Sequence, residues 1–122
     1  MNLSSYRKIT SLNKDIVQCR ACPRLVEFRE AVARKKRKQF EAWDYWGKPV
    51  PGYGEPGASL LLTGLAPAAH GGNRTGRVFT GDKSADFLVR CLYDVGIANQ
   101  PNSDSLDDGL ELINTYMTPV LK

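Results

Sequence analysis

An α/β fold, with a parallel sheet flanked by helices, is what this sequence predicts, and three consecutive stretches carry the expectation. The apolar run Ser59-Leu60-Leu61-Leu62-Thr63 is short enough for a buried strand. Residues 64–82, GLAPAAHGGNRTGRVFTGD, are a long glycine-rich loop, and Ser84-Ala85-Asp86-Phe87-Leu88 reads as a helix start. A loop that leaves the carboxyl end of a strand and runs into a helix N-terminus, with its free N–H groups, is where ligands sit in open α/β sheets.

The other elements follow in chain order. Leu3, Tyr6, Ile9, Leu12, Ile16 and Val17 recur at three- and four-residue steps, which predicts an amphipathic helix running into Cys19-Arg20-Ala21-Cys22. Pro23 suits a first helical turn, and Leu25, Val26, Phe28, Ala31 and Val32 make the stripe of a second helix. Its end is the cationic run Arg34-Lys35-Lys36-Arg37-Lys38, which is either a solvated helix end favoured by the dipole or a contact for phosphates. Phe40, Trp43, Tyr45 and Trp46 follow, placed either to stack on unpaired bases or to pack under a loop. Prolines and glycines keep residues 47–57 out of regular structure. Beyond the glycine-rich loop, Phe87, Leu88, Cys91, Leu92 and Val95 form the expected buried stripe of a helix that Gly96 ends. Residues 99–109 are a polar linker, and residues 110–121, with Ile113, Tyr116, Met117, Val120 and Leu121, are expected to make a second buried strand whose extent Pro119 limits.

At 122 residues the chain is sized for one small domain. Its net charge of +4 and pI near 9.1 suit a nucleic-acid partner without selecting one. The sequence lacks a run of apolar residues long enough for a membrane span and an apolar core of a secretory signal after Met1, so no membrane association and a cytoplasmic location are expected. Three cysteines without a secretion signal argue against a disulfide framework. Cys19 and Cys22 have the spacing of half a zinc or iron–sulfur site, whereas Cys91, on an apolar helical face, reads as a buried free thiol.

The glycine-rich stretch lacks the G-K-[ST] ending of a Walker A loop, and its glycines are not spaced G-x-G-x-x-G. The run GLAPAAHGGNRTGR resembles instead the first active-site motif of the uracil-DNA glycosylase superfamily, specifically its type B (family 5) branch. Tyr45-Trp46-Gly47-Lys48-Pro49-Val50-Pro51-Gly52 and the cysteine pair are similar to that branch as well. The resemblance implies a three-layer parallel sheet flanked by helices, of which residues 1–122 are the N-terminal part of a single domain, truncated after its first strands. It implies a DNA repair glycosylase that hydrolyses the N-glycosidic bond of uracil, and of other deaminated bases, by base flipping.

By the same resemblance, Phe79 stacks on the extruded uracil, and Gly64, Leu65, Ala66, Pro67, Ala68 and His70 form the base pocket. Asp82 is the catalytic acidic residue. Apart from the resemblance, the cations expected to face DNA are Arg34, Lys35, Lys36, Arg37 and Lys38, with Arg74 and Arg77 of the motif. The residues themselves also allow Phe79 to be core and Asp82 to be a helix cap. Ala66 stands where other branches carry a polar, water-orienting residue, which implies catalysis through electrostatics and positioning. Cys19 and Cys22 are two ligands of the family's [4Fe–4S] cluster; the other two would lie beyond Lys122, so this chain alone is expected to hold an incomplete cluster or none. Two rival readings remain: a non-catalytic remnant that binds DNA or a partner through its basic and aromatic segments, and a zinc-stabilised nucleic-acid-binding module. The short form is further expected to be inactive alone and to self-associate through an unpaired apolar edge at residues 113–121.

Overall fold

The computed structural model describes residues 3–122. The helices expected at the N-terminus are α1, Leu3–Val17, and α2, Pro23–Lys35. Pro23 occupies the first turn of α2, where a missing N–H costs no bond. The helix stops where Lys36 turns to a φ of 44°, its N–H still bonded to Val32 O. None of the residues of α1 is buried, so its apolar stripe stays largely uncovered. Asn13 ties it to the rest, its Nδ2 donating to Gly52 O at 3.4 Å and to the Tyr116 hydroxyl at 3.3 Å.

One sheet follows, formed by β1 (Tyr53–Gly54), β2 (Leu60–Gly64) and β3 (Thr115–Pro119) in the order β1-β3-β2. Between β2 and β3 the chain passes through α3 (Gly72–Thr75) and α4 (Lys83–Asp94). The β2–β3 pair is parallel, as expected; β1 pairs antiparallel with β3, so the sheet is mixed rather than wholly parallel. β1 is invisible to pattern reading because it is only two residues long and lies among glycines and prolines. The core gathers on β3 and α4: Met117 and Val89 are fully enclosed, with Val50, Val78, Leu92, Ala98, Leu110 and Leu112 packed around them.

The structure corrects several details. β2 is an outer strand rather than a buried one, with Leu61 59% exposed. Residues 110–121 contribute a strand only over Thr115–Pro119, because Asn114 turns to a φ of 49° and starts it late. Leu110 and Leu112 still enter the core, the latter through a bridge to Ala98. β3 is paired on both sides, by β2 along its length and by β1 at Tyr116 and Met117, so the unpaired edge expected at residues 113–121 is not found there; the outer strands are β1 and the longer β2.

On α4 the buried stripe is Ala85, Val89 and Leu92, with Leu88 half-buried. Phe87 (76%) and Val95 (70%) lie exposed, and so does Cys91, which is therefore not a core thiol. The 85/89/92 face turns inward, Val89 and Leu92 joining the core, and the stripe one step round the helix turns to solvent. Gly96 ends the helix as expected, at a φ of 82°. Among the described residues no helix is long and apolar enough to cross a membrane.

Candidate active site

The glycine-rich stretch is more ordered than a loop. It contains the single turn of α3, and residues 71–78 are all buried. Its backbone is held from outside: Trp46 N–H donates to Arg74 O and Gly47 N–H to Asn73 O, both at 3.0 Å. Asn73 Nδ2 in turn donates to Arg29 O on α2. Residues 46–47 and α2 therefore fix the motif, which is why its shape cannot be inferred from local propensity.

Asp82 and His70 meet at one cleft of about 620 Å³, lined among others by Arg37, Phe40, Ala68 and Lys83. Asp82 has the extended backbone of an N-cap and accepts the Ala85 N–H through Oδ1 at 2.8 Å. Its Oδ2 lies against Gly71, where a Cβ would stand only 2.2 Å away. One carboxylate oxygen thus caps α4 while the other faces the turn of the motif. His70 Nδ1 lies 2.8 Å from the Tyr45 hydroxyl, which accepts the Arg37 N–H at 3.2 Å. Burial, with the nearby charges of Arg37 and Arg74, holds His70 below the usual imidazole value and favours its neutral form.

Phe79 does not line that cleft. Half-buried at the end of the sheet, it has a φ of 49°, a left-handed conformation that costs an aromatic residue about 1–3 kcal/mol. Its ring lies on Gly64, where an added Cβ would meet Cζ at 2.7 Å. Gly64→Ala is accordingly expected to overpack this contact and lower stability by about 1–3 kcal/mol, read from thermal unfolding; an unchanged Tm would mean that the ring swings away freely. Ala66 and Pro67 line a separate cavity of about 90 Å³ with Phe28, Asn73, Leu121 and Lys122. Along this segment the carbonyls are engaged: Gly64 O and Leu65 O accept from Val120 and Leu121 N–H, and Ala68 O from Gly71 and Asn73 N–H. Leu65, Ala66 and Ala68 are exposed.

Two of the expected DNA-facing cations are not on the surface. Arg74 is 4% exposed, its guanidinium 3.8 Å from the Phe40 ring centroid and 4.1 Å from that of Trp43, with Nε and Nη2 donating to His70 O and Gly81 O. Arg77 is 5% exposed and pairs with Asp108 at 2.9 Å. Both arginines are internal braces, unavailable to phosphate. The aromatic segment takes the packing alternative, since Phe40 and Trp43 hold Arg74 and Tyr45 holds His70. Arg34, Lys35, Arg37 and Lys38 are exposed, while Lys36 is half-buried and bonded to Trp43 O.

Cys19 and Cys22 are exposed at the α1–α2 junction, and Cys22 is the N-cap position of α2. Two accessible thiols at this spacing fit half of a four-thiolate centre. Among the described residues no group of three or more His, Cys, Asp or Glu side chains is arranged around a common point. Sequence reading missed Tyr45 as the partner of His70, and missed Asp108 and Ser103 altogether; none carries a local signal, because each acts on a residue at least 20 positions away.

A parallel strand pair whose crossover begins with a glycine-rich turn, and which brings a carboxylate and an imidazole to one cleft, defines an α/β protein with a candidate site at the carboxyl end of its strand. Residues 51–122 match the family described as Uracil DNA glycosylase superfamily, and the chain belongs to that superfamily. Among curated relatives it is 50% identical over 107 residues to the type-5 uracil-DNA glycosylase of Pyrobaculum aerophilum, a match covering 88% of this chain and 46% of the relative. The type-5 enzyme of Mycobacterium leprae is 55% identical over 103 residues (84% and 45%), and that of Thermus thermophilus 50% over 107 residues (88% and 48%). The chain thus spans about half the length of the curated relatives it matches.

Proposed function

We propose that residues 1–122 form the N-terminal part of a single uracil-DNA glycosylase domain of three layers, which hydrolyses the N-glycosidic bond of uracil in DNA. The observation that carries this reading is the convergence of Asp82 and His70 on one cleft within a stretch that matches the superfamily. In this reading the base is flipped out of the duplex. Phe79 stacks on it, and the N–H groups of the exposed residues Leu65, Ala66 and Ala68 serve as donors to its carbonyl oxygens. Ala68 and Gly71 line the cleft beside Asp82 and His70, and Gly64 backs the Phe79 ring. Asp82 orients the water that attacks the sugar carbon as the bond to the base breaks, and stabilises the positive charge that develops on the sugar. Neutral His70 donates a hydrogen bond toward the departing base.

DNA is the proposed partner, held by Arg34, Lys35, Arg37 and Lys38, which remain accessible. Cys19 and Cys22 would hold a [4Fe–4S] cluster as two of its four ligands; such a cluster, when bound, supplies a rigid link between α1 and α2. Self-association is proposed for the open edge of β2 rather than for β3. The pocket is tested with Phe79→Ala in the full-length protein, which should cost about 1–3 kcal/mol of base stacking in single-turnover release of uracil from an oligonucleotide. Release at the parental rate would remove Phe79 from the site.

A further inference from the structure

The linker between α4 and β3 is polar, yet it contains one of the most enclosed residues in the molecule. Ser103 is 0% exposed, while its neighbours Asn102 and Asp104 face solvent. Its hydroxyl donates to Phe79 O at 2.8 Å, and its own carbonyl accepts the Gly81 N–H at 2.8 Å. One residue therefore grips the chain on both sides of Thr80. The hydroxyl oxygen also receives Arg77 Nη2 at 3.1 Å and lies 2.9 Å from Thr80 Oγ1, which itself accepts Arg77 Nε at 2.9 Å.

What this grip holds is an unfavourable conformation. Phe79 is one of three non-glycine residues with positive φ among those described, and a bulky residue stays there only where its surroundings over-determine it. Without the Ser103 hydroxyl, the part-buried Phe79 carbonyl loses its donor and Arg77 loses an acceptor. The turn is then free to relax to an ordinary φ, which carries the ring off Gly64.

We infer that Ser103 is a positioning residue of the base pocket, clamping residues 79–81 so that the Phe79 ring stands against Gly64. The inference rests on the stacking role proposed for Phe79 and goes beyond it, because Ser103 acts only through the backbone of the residues it holds. It also explains why so exposed a linker threads a single serine into the interior.

A double-mutant cycle in the full-length protein tests it, with single-turnover uracil release, half-saturating DNA concentration and Tm measured for the parent, Phe79→Ala, Ser103→Ala and the double variant. Ser103→Ala is expected to slow release about tenfold, the equivalent of one buried hydrogen bond, while half-saturation changes little. The double variant should be no slower than Phe79→Ala alone. Multiplying effects would overturn the inference, since Ser103 would then act independently of the ring; so would Ser103→Ala at the parental rate. Phe79→Ala at the parental rate would defeat the stacking role itself, an outcome read from a different variant. If Ser103→Ala does not fold, Ser103→Cys, nearly isosteric and a poorer donor, takes its place in the same cycle with the same expected order of rates.

Discussion

Replacing Arg77 with methionine is expected to lower the free energy of unfolding by about 3–5 kcal/mol, enough to consume much of the stability of a small domain. The two side chains of the Arg77–Asp108 pair are 6% and 8% exposed, so removing the guanidinium leaves an enclosed carboxylate unpaired. Arg77 also donates to Thr80 Oγ1 and Ser103 Oγ, which lose a partner at the same time. The loss depends on pH in a direction that follows from Asp108. Burial alone would raise its pKa, but the N–H groups of Asp104 and Leu110, together with Arg77, outweigh this and hold the carboxyl below its ordinary value. A group with a depressed folded pKa contributes stability above its unfolded value, about 3.9, and that contribution is lost as pH falls through the folded pKa. The deficit of Arg77→Met should accordingly be largest near neutral pH and shrink as acid protonates Asp108. Replacing both partners, Arg77→Met with Asp108→Asn, should recover part of the loss, because no charge is then stranded and an amide oxygen remains for the N–H groups of Asp104 and Leu110. Urea titrations at several pH values give these quantities directly; a single variant as stable as the parent at pH 7 would mean that water reaches Asp108.

What the sequence discloses and what it withholds divide along a physical line. α1, α2 and α4 are legible because their spacing is a local property, and the stops at Lys36 and Gly96 are where the chain turns left-handed. β2 is legible as a strand but not as an edge, since Leu60, Leu61 and Leu62 would read the same in the middle of a sheet. The strand in the centre is β3, and its position depends on β1, a two-residue element with no pattern of its own. The site shows the same division. Asp82 and His70 stand together in the cleft where the motif put them, but Phe79 stands apart from it and Ala66 and Pro67 line another cavity. Arg74 and Arg77 are expected to face DNA, yet both are buried. Their burial depends on Phe40, Trp43 and Asp108, each about 30 residues from its arginine, and no window of sequence connects such pairs.

Asp82 carries two roles that a pair of substitutions can separate. As the N-cap of α4 it accepts the Ala85 N–H through Oδ1, and asparagine caps as well as aspartate does, so Asp82→Asn keeps that bond. The exchange of charge at the helix N-terminus removes only about 0.3–1 kcal/mol. Asp82→Ala loses the cap outright and should destabilise by about 0.5–2 kcal/mol. The second oxygen, Oδ2, beside Gly71, does no capping and is the one left for the proposed role of orienting water at the sugar. Removing its charge is expected to slow single-turnover release of uracil by about 10²- to 10⁴-fold, and to do so equally in Asn and Ala, since neither offers a carboxylate. Stability and rate should therefore part company: the Asn variant nearly as stable as the parent yet as slow as Ala, with DNA binding little changed in both. If the rate instead follows stability, Asn retaining parental release and Ala losing it in proportion to its Tm, then Asp82 is a helix cap alone, and the negative charge the reaction needs must come from another residue.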